Sequence, residues 1–258
     1  KLIMCRMIAK VSPEASAIIE EMLLCPTSLS YLSQNGKQPS APWLRGKHND
    51  GCGLAFLNQG NIEIHKRDKA TAWDESYQSI VKKANSQLFI AHNRLASKGL
   101  KASLEGAHPF YYKPNETPYA FSHNGSIASY HNEAVAKEIS DSQILFHNLI
   151  DEKEKNQDRS FSSIVSDIAG SKSYDSLCGL LMSPDTLYAW RIYNESNPDK
   201  QEIYEAYYTL YLSMRKGSIV IASECLDTGS WLLLPNNTFI SIRLCKNSLQ
   251  IDYTALTF

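Results

Sequence analysis

The chain has 258 residues, 43% of them hydrophobic and 21% charged, the composition of a globular protein long enough to bury a large core. Its formal net charge of −1 removes any global electrostatic case for a nucleic-acid partner or an anionic membrane, and no apolar run approaches the ~20 residues of a membrane-spanning helix. Lys10 and Glu14 interrupt any leader-like stretch at the start. The six cysteines, Cys5, Cys25, Cys52, Cys178, Cys225 and Cys245, form no Cys-x-x-Cys pair and no zinc-type spacing. That pattern predicts reduced thiols in a cytoplasmic protein and neither metal nor cofactor.

Leu2 to Val11 is apolar and reads as a strand. Ser12-Pro13-Glu14 carries the signs of a helix start, with Ser12 as the cap, followed by Ala15, Ile18, Ile19, Met22 and Leu23 at helical spacing. Pro26 to Asn49 reads as a long surface loop passing over or near a site. Gly51 to Asn58 and Ile62 to Lys66 form a hairpin, Ala70 to Ser86 a helix, and Leu88 to His92 a short strand. Leu100 to Pro118 is a loop. Tyr119 to Ser122 is a strand ending at His123-Asn124-Gly125, and helices follow from Asp141 and over Phe161 to Ile168. Glu152 to Arg159 is a solvated charge run. The remainder reads as strands: 177–182, 187–193, 207–214, 219–223, 231–234, 238–244 and 249–253. No repeat or linker interrupts the chain, so residues 1–258 are expected to form one domain. Blocks of helix inserted among many strands predict a layered α+β architecture.

Four polar groups fall at strand ends or helix starts, where a rigid scaffold presents side chains. Cys5 is either a buried small hydrophobe or a nucleophile. Arg94 is a surface ion pair or a fork for a carboxylate. Asn124-Gly125 is a hairpin turn or a pair of oxyanion donors. Asp141 is a helix cap, a ligand for a cation, or both.

These residues lie in an ordered set of motifs. The set is Met4-Cys5-Arg6, His48-Asn49-Asp50-Gly51-Cys52-Gly53, Ala91-His92-Asn93-Arg94-Leu95-Ala96-Ser97, His108-Pro109-Phe110, Phe121-Ser122-His123-Asn124-Gly125, Asp141-Ser142-Gln143 and Ile221-Ala222-Ser223-Glu224. Taken together it resembles the class II glutamine amidotransferases, and more narrowly their stand-alone branch of γ-glutamyl amidohydrolases. The resemblance implies a four-layer αββα N-terminal-nucleophile hydrolase fold, two stacked, mainly antiparallel sheets flanked by helices. It implies Cys5 as nucleophile, Asn124 and Gly125 as oxyanion donors, Arg94 as the grip on a substrate α-carboxylate and Asp141 as the partner of its α-ammonium, with Ser97 and His108 lining the pocket. The implied reaction is cleavage of the γ-amide of glutamine or a γ-glutamyl amide through a Cys5 thioester, without metal.

Such a thiol is activated by its own α-amine, whose reference pKa is roughly 7.7–8.0. That requires Cys5 to be N-terminal. Lys1-Leu2-Ile3 are then an added or processed segment and Met4 a removable initiator. Cys52 stands where relatives carry Trp, and its flanking glycines point to a buried structural thiol. Two alternatives stay open: an ammonia-donating subunit of a separate synthase, the acceptor-enzyme partner, and an inactive γ-glutamyl-binding module.

Overall fold

A computed structural model describes residues 5–69, 74–95 and 103–258. Two antiparallel sheets form its centre. The seven-stranded sheet has β11 (Tyr211–Arg215), β12 (Ser218–Ala222), β1 (Arg6–Ala17), β6 (Asn85–Asn93), β4 (Cys52–Asn58) and β5 (Asn61–Arg67) side by side, with β13 (Leu232–Leu233) at the β11 edge. The six-stranded sheet runs β15 (Ser248–Ala255), β14 (Thr238–Cys245), β10 (Thr186–Arg191), β9 (Tyr174–Met182), β8 (Tyr119–Ile127) and β7 (Phe110–Tyr112).

The layering follows from strand alternation, because successive side chains leave a strand on opposite faces. In β1, Met7, Ala9 and Val11 enter the core between the sheets, while Ile8 faces the other way. In β6, Leu88 and Ile90 point inward and Phe89 and Ala91 outward. The second sheet repeats the scheme: Cys178, Leu180 and Met182 of β9 face the first sheet, whereas Leu177 and Leu181 face outward. Both outer faces are therefore apolar and each needs a helical cover. A π-helical turn (Glu20–Leu24), α1 (Leu29–Asn35) and α2 (Glu75–Lys83) cover the first. The second is covered by α3 (His131–Lys137), α4 (Asp141–Lys155) and α5 (Phe161–Ser171). The result is the expected α+β arrangement in four layers. Among the described residues, no helix is long and apolar enough to cross a membrane.

Several local expectations are corrected. Ser12 caps no helix. Strand β1 continues to Ala17 with a bulge after Val11, and the Ser12 hydroxyl donates to the Glu14 carbonyl at 2.7 Å. The apolar stripe there is real, since Ile18 and Met22 are buried, but the π-helical turn carries it. Segment 26–49 is no bare loop. Ser28 caps α1, which buries Leu29 and Leu32, and a hairpin of β2 (Gly36–Gln38) and β3 (Ala41–Gly46) follows. The strand expected at 207–214 begins only at Tyr211, after a short helix α6 (Gln201–Tyr207). Half of the charge run at 152–159 is the last turn of α4.

Candidate active site

Strand register brings the first site residues together. Along β1 and β6, Arg6 lies opposite Asn93, Met7 opposite His92 and Ile8 opposite Ala91. Cys5 and Arg94 are the next residues beyond the Arg6–Asn93 pair, and both line one cavity. Both are buried, at 3% and 6% exposure, and the Cys5 thiol meets the main chain of Leu95. The end of β6 is held from its other side, where Asp50 N–H donates to the Arg94 carbonyl at 3.0 Å and Arg94 N–H to the Gly51 carbonyl at 2.8 Å.

The second sheet supplies Asn124 and Gly125. They are not a hairpin turn: β8 runs straight through them, with Asn124 opposite Cys178 and Gly125 opposite Leu177. The glycine answers a packing constraint there. A Cβ at position 125 would lie 1.9 Å from the Ser176 carbonyl oxygen, so no side chain fits unless the strands part. Gly53 has the same explanation, because a Cβ on it would meet the His108 carbonyl at 2.2 Å. That close approach lets the segment carrying His108 lie on β4.

Asn124 joins the two sheets at Cys5. The Cys5 N–H donates to Asn124 Oδ1 at 3.0 Å. A main-chain N–H can only donate, so this bond fixes the amide with its oxygen toward Cys5 and its nitrogen away. Asn124 Nδ2 is fully buried and has no hydrogen-bond partner among the described residues. An orphaned buried donor costs about 1–3 kcal/mol, a cost that an incoming acceptor removes.

Helix α4 brings Asp141. The cap of this helix is Ser140, not Asp141: Ser140 Oγ accepts from Gln143 N–H while the Gln143 side chain accepts from Ser140 N–H. Asp141 occupies the next position. Its Oδ2 accepts from Ile127 N–H and its Oδ1 from Ser142 N–H, each at 2.8 Å. The first bond ties the start of α4 to the end of the strand that bears Asn124 and Gly125.

Cys5, Arg94, Leu95, Gly106, His108, His123, Gly125, Ser140, Asp141 and Ser142 line one cavity of about 30 Å³. That holds about two waters, so a larger guest requires its walls to part. Of the expected site residues, Cys5, Arg94, His108, Gly125 and Asp141 meet here and Asn124 adjoins them; Ser97 lies outside the described residues.

Burial sets the electrostatics. It pushes the Cys5 thiol up to about 11; the Leu95 main chain, Arg94 and Arg6 pull it back down, and Asp141 adds to the rise. Three histidines converge beside it. The His92 and His108 rings lie tilted by 34° with centroids 4.2 Å apart, and burial drives His92 down to about 3 and His108 well below its ordinary value. His123 is also lowered by burial. Its Nε2 faces the Ser176 carbonyl at 3.3 Å and its Nδ1 the Ser142 hydroxyl at 2.8 Å. The carbonyl only accepts, so Nε2 carries the proton and Ser142 donates to Nδ1. Among the described residues, neither nitrogen of His108 has a hydrogen-bond partner.

The motif reading assigned no role to His123, Ser142 or His92, although all three stand inside its quoted segments. It also passed over Arg6, the first residue of β1, and Glu224. Cys52 is fully buried with its thiol on the Lys69 carbonyl at 2.9 Å, and burial raises its pKa. That is the expected structural thiol. All six cysteines are free.

The profile of the class-II glutamine amidotransferases matches residues 27–169, more than half of the 258. The chain belongs to this family. The matched stretch contains Arg94, His108, Asn124, Gly125 and Asp141, and Cys5 lies ahead of it. No curated protein matches the sequence.

Among solved structures, this amidotransferase resembles the allosteric regulatory enzyme of purine biosynthesis. The identity is 13% and the TM-score 0.66, over 96% of this chain and 48% of the other. Glutamine phosphoribosylpyrophosphate amidotransferase from B. subtilis is similar at 13% identity and TM-score 0.62, over 96% and 49%. A glutamine aminotransferase class-II domain protein from Silicibacter pomeroyi is similar at 14% and 0.61, over 98% and 100%. The chain thus spans about half the length of the first two and all of the third. At these identities the likeness concerns the fold, which is that of the N-terminal-nucleophile amidotransferases.

Proposed function

We propose that residues 1–258 form a single amidotransferase domain that hydrolyses the γ-amide of glutamine or of a γ-glutamyl compound. The carrying observation is the Cys5 thiol in a cavity that also presents Arg94, Gly125 and Asp141, with Asn124 bonded to the Cys5 N–H and its own Nδ2 buried without a partner among the described residues. A free amino acid head bears one charge of each sign, and this wall offers one of each in return. Arg94 binds the α-carboxylate and Asp141 the α-ammonium, which leaves the γ-carbonyl next to sulfur.

The Cys5 sulfur attacks the carbonyl carbon of the γ-amide, and its proton passes to the Cys5 α-amine. Asn124 Nδ2 and the Gly125 N–H stabilise the resulting oxyanion. The amine then returns the proton to the leaving nitrogen as the C–N bond breaks, and water hydrolyses the thioester to glutamate. Cleavage of the Met4–Cys5 bond is a precondition, because an amide nitrogen is no base. A thiol near 11 in the closed cavity fits this scheme, since it loses its proton during attack and does not wait as a thiolate.

The test is glutamate release from glutamine and from γ-glutamyl dipeptides by protein whose first residue, verified by N-terminal sequencing, is Cys5. The reading expects turnover that disappears in Cys5→Ala. Equal rates in the two proteins would end it. Tight glutamine binding without turnover would make the chain a γ-glutamyl-binding module instead.

A further inference from the structure

Arg6 is fully buried, and nothing in the scheme above uses it. An uncompensated guanidinium in such a place costs several kcal/mol, so its surroundings need an explanation. The register of β1 with β12 ends with Ile8 opposite Ala222, and Arg6 and Glu224 meet just beyond that end. Arg6 Nη1 donates to the Cys5 carbonyl at 2.9 Å and Nη2 to the Lys37 carbonyl at 3.0 Å. Its Nε lies 2.7 Å from Glu224 Oε1 without the alignment of a hydrogen bond, so that contact is an ion pair only. The ring of Tyr207 closes the remaining face, 4.2 Å from the guanidinium carbon.

Glu224 is shared. It also accepts from Lys37 N–H at 2.8 Å and pairs with Arg45. Burial raises its carboxyl pKa, but Arg6, the Lys37 N–H and Arg45 outweigh that and hold it ionised. Met7 N–H donates to Ser223 Oγ at 3.1 Å, so the residue before Glu224 is fastened to the same strand end. The guanidinium therefore fixes the main chain of the residue whose sulfur faces the cavity, and itself stays outside the cavity.

We infer that Arg6, held by Glu224, is the positioning residue of the nucleophile, which it orients through the Cys5 carbonyl while adding positive charge behind the sulfur. This rests on the reading of Cys5 as nucleophile. It assigns Arg6 no contact with substrate.

The test separates the two claims by following the alkylation of Cys5 with iodoacetamide against pH, scored on the Cys5 peptide by mass spectrometry, beside steady-state hydrolysis. The other groups facing the thiol, Arg94, Asp141, His108 and His123, stay unchanged. Arg6→Met is expected to move the midpoint up by about one pH unit, and Glu224→Gln to move it down, because removing a cation and removing its counter-ion act with opposite sign. Arg6→Lys keeps the charge and loses the fork. It should hold the midpoint and the KM while kcat falls about tenfold, and it carries the test if Arg6→Met does not fold. Midpoints that stay in place, or shift in the same direction in Arg6→Met and Glu224→Gln, would overturn the inference, as would wild-type kcat in Arg6→Lys. Undiminished glutamine hydrolysis by protein whose Cys5 is fully alkylated would overturn the nucleophile itself.

Discussion

Two buried arginines flank Cys5, and they face different things. Arg6 is the neighbour in sequence and points at a glutamate and two carbonyls of its own chain. Arg94 is the neighbour across the sheet and lines the cavity, packed so closely on Gly106 that a Cβ there would lie 3.0 Å from its guanidinium. Arginine is suited to both places because it stays charged when buried and offers five donors in a rigid fork. What separates them is their position. Arg6 is paired with a carboxylate of the protein behind the cavity. Arg94 lines the cavity, where the proposed reading has the substrate bring its own carboxylate.

Substitutions test that division. The largest effect belongs to neither arginine: Cys5→Ala should lower the rate of glutamine hydrolysis by about four orders of magnitude or more, read as glutamate release. Asn124→Ala comes next, at about 10²–10³ in kcat. Its KM should stay nearly constant, since the oxyanion exists only after attack. Arg94→Ala should raise the KM for glutamine by roughly 10–100-fold, as expected for loss of a charged hydrogen bond of about 1.5–3 kcal/mol. A shift in KM for Arg6→Lys, or none for Arg94→Ala, would erase the distinction between the two arginines.

The last expected effect is on stability and leaves the comparison of rates aside. His92 has a folded pKa of about 3, far below its ordinary value, because burial disfavours its charged form. A depressed folded pKa means that the unfolded chain binds the proton first as pH falls. The stabilisation is therefore complete above about 6.5 and is lost between there and about 3. It amounts to roughly 3–5 kcal/mol for this one residue. His92→Gln should flatten that acid limb, measured as urea midpoint against pH. An unchanged slope would mean that His92 is not buried neutral.

The two arginines also show what local sequence can reveal. Cys5 and Arg94 were legible because each stands at the end of an apolar strand, and strand ends meet across a sheet. Arg6 was not, since its meaning depends on Glu224, near the other end of the chain. The histidines illustrate the same limit: His92, His108 and His123 come from β6, from the segment before β7 and from β8, and only tertiary packing brings them together. His123-Asn124-Gly125 carries the usual sign of a turn, yet the glycine is required by the Ser176 carbonyl of the neighbouring strand. At 26–49, Asn-Gly and Pro suggested a loop although Ser28, Leu29 and Leu32 already had the spacing of a capped, half-buried helix. The alternation along β1, β6 and β9, by contrast, is enough to place apolar side chains on both faces of both sheets, and the four layers follow from that.

The most direct test of the central claim is to mix protein beginning at Cys5 with glutamine, quench in acid within one turnover and map the adduct by mass spectrometry. The account predicts a γ-glutamyl group on the Cys5 peptide that hydroxylamine removes. Glutamate formed at the same rate with Cys5 unmodified throughout would contradict it.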